Sequence, residues 1–184
     1  MKTVGIVIAA VVVFIGAFFV AQYNGMQSAK VNAETMWAQT ENQMQRRADL
    51  IPNLVNTAKG YATHEKAVFT EIANARSKVN NATTPVEKDA ANTELSSALS
   101  RLMMVVENYP TLKADTHFKQ LMDELAGSEN RIAVARRDYV QAVQNYNLKV
   151  TTFPGTLFAS MFGYQQMEQF KADETAKVAP KVEF

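Results

Sequence analysis

His64 and Glu65 stand side by side. A His-Glu pair opens the H-E-x-x-H pattern, in which a helix turns two imidazoles toward one zinc ion and the glutamate acts as general base. Position 68, where the second histidine belongs, is valine, and His117 is the only other histidine. The chain has no cysteine, which removes thiolate zinc sites, disulfides, thiol nucleophiles and a lipidated cysteine. His64 therefore reads as a hydrogen-bonded residue at a helix start. Ser100 and Ser128 have no visible base partner, and neither a G-x-S-x-G elbow nor a glycine-rich phosphate loop is present. Asp123 and Glu124 read as part of a solvated helix face. These residues make no catalytic constellation, no metal site and no cofactor site; the chain reads as non-enzymatic.

The charges inside the apolar periodicity say more. Arg47 falls between Met44 and Ile51, and Glu129 falls between Leu125 and Ile132, where an apolar stripe would continue. A charge at a seam needs a partner, because burying it unpaired costs several kcal/mol. The expectation is an Arg–carboxylate network of Arg46, Arg47, Asp49, Glu129, Arg136 and Arg137 that fixes the register of two helices; exposed surface pairs worth little each are the alternative. Pro52 follows at once, in "RRADLIPNLV". Either Asp49 caps a restarted helix, or the helix continues and Pro52 kinks it by freeing the carbonyl of Ala48. The apolar spacing passes through Pro52 without losing phase, which favours the kink.

Helices must position these groups. Glycine (7) and proline (5) are scarce, and Lys plus Arg (19) nearly balances Asp plus Glu (18) for a net charge of +1. That balance offers no electrostatic footprint for nucleic acid. Apolar and small residues recur at three- and four-residue steps, predicting helices at about 24–60, 63–80, 85–108 and 113–152. Gly60 is a place to end the first, with Thr63 capping the second and Glu65 in its first turn, although the stripe also reads through Gly60. The second stripe is Val68, Ile72, Ala75 and Val79. Thr84, Pro85 and Glu87 form a capping box with proline at the first helical position. Asn108-Tyr109-Pro110 ends the third helix. The expected fold is all-α: an N-terminal transmembrane helix, then an antiparallel up-and-down four-helix bundle with long first and fourth helices.

No charge separates Lys2 from Lys30, and Val4 to Ala21 is continuously apolar. That length approaches the ~20 residues that cross a hydrocarbon core. Phe19-Val20-Ala21 makes a poor cleavage site, so residues 1–23 read as an uncleaved single-pass anchor with Tyr23 at the interface. Lys2 and the terminal amine against Lys30, offset by Glu34, lean toward a cytoplasmic N-terminus and an extracytoplasmic helical domain (24–153). The fourth helix returns the chain toward the membrane, where Phe153, Leu157, Phe158, Met161, Phe162 and Tyr164 carry no charge among them. They read either as packing on the bundle end or as a lipid or subunit interface within a membrane-proximal segment and tail, 154–184. In the tail, Val178, Val182 and Phe184 could dock.

"RRADLIPNLV", "YATHEK", "ENRIAVARRDY", "QNYNLKVTTFP" and the closing "APKVEF", in this order, resemble the LemA family of bacterial membrane proteins. The resemblance runs from Tyr23-Asn24 to Phe184; Val140 departs from it, standing where the family commonly has asparagine. It implies one N-terminal anchor, an α-helical up-and-down bundle and no established enzymatic activity. Family gene neighbourhoods and a relative tied to magnetosome membrane formation favour a membrane-organising role. Two functional expectations follow. One is a homo-oligomeric structural protein that organises or shapes the bilayer, and the other is a tethered adaptor that recruits a membrane-associated partner protein.

Overall fold

The computed structural model describes residues 2–62, 64–168 and 170. Among them the protein is all-α, with six helices: α1 (Lys2–Lys59), α2 (Lys66–Asn81), α3 (Pro85–Val106), α4 (Pro110–Ala114), α5 (Thr116–Thr151) and α6 (Gly155–Phe162). The expected anchor and first helix are one uninterrupted helix of 58 residues. At about 1.5 Å per residue it is about 87 Å long. No proline stands between the apolar run and the stripe beyond it, and the Asn24-Gly25 step is carried inside the helix.

From Met26 onward α1 is partnered on one side. Its buried residues include Met26, Ala33, Thr40, Arg47 and Leu54, and those of α5 include Phe118, Leu125, Ile132, Tyr139 and Tyr146. Each set recurs every seventh residue, the spacing that keeps one stripe of a helix facing one neighbour. The two helices run antiparallel, as the contacts Gly25–Lys149, Arg47–Glu129 and Tyr61–Asp115 show. The α2–α3 hairpin is likewise antiparallel, joined by Lys78–Glu94 and Glu71–Arg101. The start of α3 reaches Glu41 of α1 and Arg136 of α5, and the rest of the hairpin packs against the far half of the α1–α5 pair. There Ile51, Leu54, Ile72, Leu95, Leu102, Leu112 and their neighbours form the main core. Nearer the N-terminus the protein thins to the two long helices plus the residues after Thr151.

Local chemistry sets the boundaries. At α3, Thr84 Oγ1 accepts from the Glu87 N–H, and the Glu87 carboxylate accepts from the Thr84 N–H, a complete capping box with Pro85 at its start. Asp115 caps α5 through the Phe118 N–H at 2.8 Å, so the expected fourth helix (about 113–152) begins at Thr116, and a short separate helix, α4, occupies most of the expected connection before it. α1 ends at Lys59, so the helix does not run through Gly60. Gly60 is not left-handed, because the chain leaves by tightened turns, Gly60 N–H to Thr57 O and Tyr61 N–H to Ala58 O. Thr63 lies outside the described residues. Glu65 is the N-cap of α2 rather than a first-turn residue. On α2, Phe69 is buried with Ile72, Ala75 and Val79, while Val68 packs at the edge of the core and is only partly buried.

Pro52 sits inside α1, with no restart at Asp49. Proline has no N–H to give, so the Ala48 carbonyl one turn back is left without its helical donor. Arg76 of α2 supplies one: its Nε donates to Ala48 O at 2.8 Å. A gap in one helix thus becomes a tie to another. Arg76→Ala is expected to cost about 1–2 kcal/mol, because it leaves a part-buried carbonyl with no donor. Thermal unfolding followed by circular dichroism measures it, and a loss no larger than that of an exposed control such as Lys66→Ala would show that the tie contributes nothing.

Candidate functional site: a charged belt and an apolar corner

Two places gather the chain's distinctive side chains. The first is a polar belt between α1, α3 and α5. Arg47 is buried, 4% exposed, although it is a cation on the inward stripe of α1. Its Nη1 lies 2.6 Å from Glu129 Oε2, and donates to Asn92 Oδ1 at 3.0 Å and to Ser96 Oγ at 2.9 Å. The Glu129 contact is an ion contact without hydrogen-bond alignment, and Arg47 Nε has no protein partner. Burial pushes the Arg47 guanidinium below its usual range, and Glu129 partly offsets that. Beside it, Arg136 Nη2 donates to Asp89 Oδ2 at 2.9 Å, and Lys88 pairs with Glu41. The Asp89 carboxyl is held above its ordinary value, mainly by burial, with Arg136 opposing and Glu129 adding to the rise.

Of the six residues expected in a network, the structure brings Arg47 and Glu129 together, and Arg136 of α5 joins the same belt by pairing with Asp89 of α3 rather than with a residue of α1. Arg46 and Asp49 are exposed, and Asp49 accepts a bond from Gln45 on its own helix. Arg137 only touches its neighbour Asp138, at 3.5 Å on the surface. The reason is angular: at about 100° per residue, positions 46 and 49 fall on the outer side of α1, while 47 lies on its inward stripe. The partners that sequence reasoning missed are Asp89, Asn92 and Ser96. Their three- and four-residue spacing makes a polar stripe beside the apolar one on α3, and that was the available signal. His64 is exposed, and no group of three or more histidine, aspartate or glutamate side chains suited to a metal occurs among the described residues.

The second place is the corner after α5. Phe158 on α6 packs edge-on against Phe19 at 4.7 Å and Phe18 at 5.9 Å, Phe162 meets Tyr23 at 5.2 Å, and the Tyr164 hydroxyl donates to Gln27 Oε1. Every one of these α1 residues lies between Phe18 and Gln27, where the apolar run gives way to polar residues. Phe158 is therefore covered by its own chain, 5% exposed, and is not a free interface residue. Phe153, Leu157, Met161 and Phe162 point outward, Phe153 at 80% exposure. Gly155 makes the corner possible: a Cβ there would sit 2.0 Å from the Lys149 carbonyl oxygen. Only a missing side chain lets α6 start against the end of α5.

After α6, Gly163 takes the left-handed conformation, φ 73°, and the chain turns back along α5. Tyr146 Oη donates to Gln165 O at 2.7 Å. Asn147 binds Met167 twice, Nδ2 donating to its carbonyl and Oδ1 accepting from its N–H, both at 2.9 Å. Phe170 then packs on Trp37 and Tyr139, with the Arg136 guanidinium 5.4 Å over its ring. Residues 164–168 and Phe170 thus lead away from α6 and toward the charged belt, instead of staying at the corner. Val178, Val182 and Phe184 lie outside the described residues.

The α1 window of highest mean hydropathy (3.0) is wholly unburied, and α1 is the one helix among the described residues long and apolar enough to cross a membrane. The model of the LemA family matches residues 36–184. Magnetosome protein MamQ 2 of Paramagnetospirillum magneticum is 27% identical over 204 residues, covering 95% of this chain and 75% of the relative. Magnetosome protein MamQ of Magnetospirillum gryphiswaldense is 26% identical over 89% of this chain and 68% of its own. Protein LemA of Metamycoplasma hominis is 29% identical over 72% of this chain and 61% of its own.

Proposed function

This chain belongs to the LemA family, and on that premise we propose that it is a non-enzymatic, single-pass bacterial membrane protein that self-associates and organises or shapes the bilayer. The carrying observation is the corner. The turn after α5 and α6 itself hold Phe153, Leu157 and Met161 outward at the height where the apolar run of α1 ends, beside a helix stretch that is bare over the length of a hydrocarbon core. An uncharged helix held there beds into the boundary between headgroups and acyl chains. A spanning helix plus a wedge beside it takes up more area in one leaflet than in the other. Two of the relatives are magnetosome proteins, which agrees with a role at a membrane. The α2–α3 hairpin and the belt then form a head carried well clear of the surface. The lean of Lys2 against the Lys30–Glu34 pair supports an extracytoplasmic head.

The test uses full-length protein in lipid vesicles. Single cysteines at Phe153, Leu157 or Met161 carry an environment-sensitive dye, with Ala126 as control. Spin-labelled lipid is expected to quench the first three and to spare the fourth. Particle mass in mild detergent is expected to be a defined multiple of the chain. Unquenched corner dyes would remove the lipid contact, and a monomer that captures one partner protein would favour the adaptor reading instead.

A further inference from the structure

The strap after Gly163, residues 164–168 with Phe170, is held as a bound peptide is held. Asn147 reads both the N–H and the C=O of one residue, Met167, and Tyr146 reads the carbonyl of another, Gln165. These bonds address backbone, as strand addition does, while side chains enter pockets on either side. Met167 packs with Ala29 and Tyr164 around Met26 and Tyr146, and Phe170 lies on Trp37 and Tyr139. Nothing in this set of contacts requires that strap and groove belong to the same chain. The only link is the turn at Gly163, the single residue of positive φ among the described residues.

We propose that the face of α5 around Tyr146 and Asn147 is a peptide-binding groove whose ligand is the 164–170 segment of a second copy of this chain, exchanged between neighbours. Two arguments favour this occupant. Copies that share the same anchor present their grooves at the same height as their straps, so neighbours in a membrane meet in register. From Gly163 to Phe170 the strap reaches about 23 Å when extended, at about 3.3 Å per residue, whereas packed helices sit about 8–10 Å apart. Exchange of an identical element joins protomers with little new contact to form, since the closed form already makes every bond. The inference rests on the proposed self-association and gives it a mechanism.

The test exploits the absence of native cysteine. Gln144 and Gln166 line the same groove, from α5 and from the strap. Full-length chains carrying Gln144→Cys or Gln166→Cys, with tags of different size, are co-produced, and their membranes are treated with a short bismaleimide. A mixed-tag product is expected, in about tenfold excess over the same experiment with Lys119→Cys as the α5 partner. Adding Asn147→Ala to the Gln144→Cys chain should lower its yield about tenfold, the loss of roughly two hydrogen bonds to a neutral amide. No mixed-tag product, or one indifferent to Asn147→Ala, overturns the exchange. Particle mass measured on the same samples separates the two ideas. An assembly without mixed-tag product leaves self-association standing and removes exchange, and a monomer removes both.

Discussion

Arg47→Ala is expected to destabilise the protein by about 3 kcal/mol, more than any single exposed charge could. The substitution removes the donor for Asn92 and Ser96 together with the ion contact to Glu129. Asn92 is 1% exposed, so its freed oxygen has no route to water, and the guanidinium leaves a cavity in its place. Glu129, whose side chain is 44% exposed, recovers solvation and should account for the smaller share. Glu129→Gln is accordingly expected to cost less, about 1–2 kcal/mol. Denaturant unfolding of the detergent-solubilised protein measures both. A double-mutant cycle between Arg47 and Asn92 should show stronger coupling than one between Arg47 and Glu129. Arg47→Met combined with Asn92→Leu and Ser96→Ala should recover much of the loss, since apolar packing often replaces a buried ion pair without penalty. A cost below about 0.5 kcal/mol for Arg47→Ala would reduce the belt to surface pairs.

Gly155→Val should release α6 from α1. A Cβ at this position meets a backbone oxygen at 2.0 Å, and no side-chain rotation relieves a clash with backbone. Overpacking of a rigid site costs about 1–3 kcal/mol, comparable to what the small α6 contact can hold, so the corner should open rather than strain. A cysteine placed at Phe158, buried against Phe18 and Phe19, reports this directly. Its maleimide labelling should be slow in an otherwise native chain and rise at least tenfold with Gly155→Val, while the melting of the main core hardly changes. Unchanged labelling would show that the α5–α6 corner tolerates a side chain after all.

Helix content and the principal boundaries were legible because they are local. Three- and four-residue apolar steps, the Thr84–Glu87 box and Pro110 act within a turn or two of themselves. The two long helices were legible for the same reason, and so was the unusual placement of Arg47 and Glu129, since each interrupts a stripe. What escaped was angular or non-local. Arg46, Asp49 and Arg137 are as charged as Arg47, and only the rotation of each helix against its neighbour separates inward from outward. Arg76 finds the carbonyl that Pro52 frees only because α2 crosses α1 at that height. Phe158 reads like Phe162 in sequence, yet one is covered and the other half open.

By itself, then, the chain determined an all-α protein with one long apolar stretch and long helices, since these follow from composition and short-range spacing. The tertiary structure alone decided that Arg47 is shared among α1, α3 and α5, that Gly155 lets α6 lie against the end of the apolar run, and that residues 164–168 return along α5 to Asn147. Each of these joins residues distant in sequence. Such contacts depend on the packing of whole helices against one another, which no local pattern encodes.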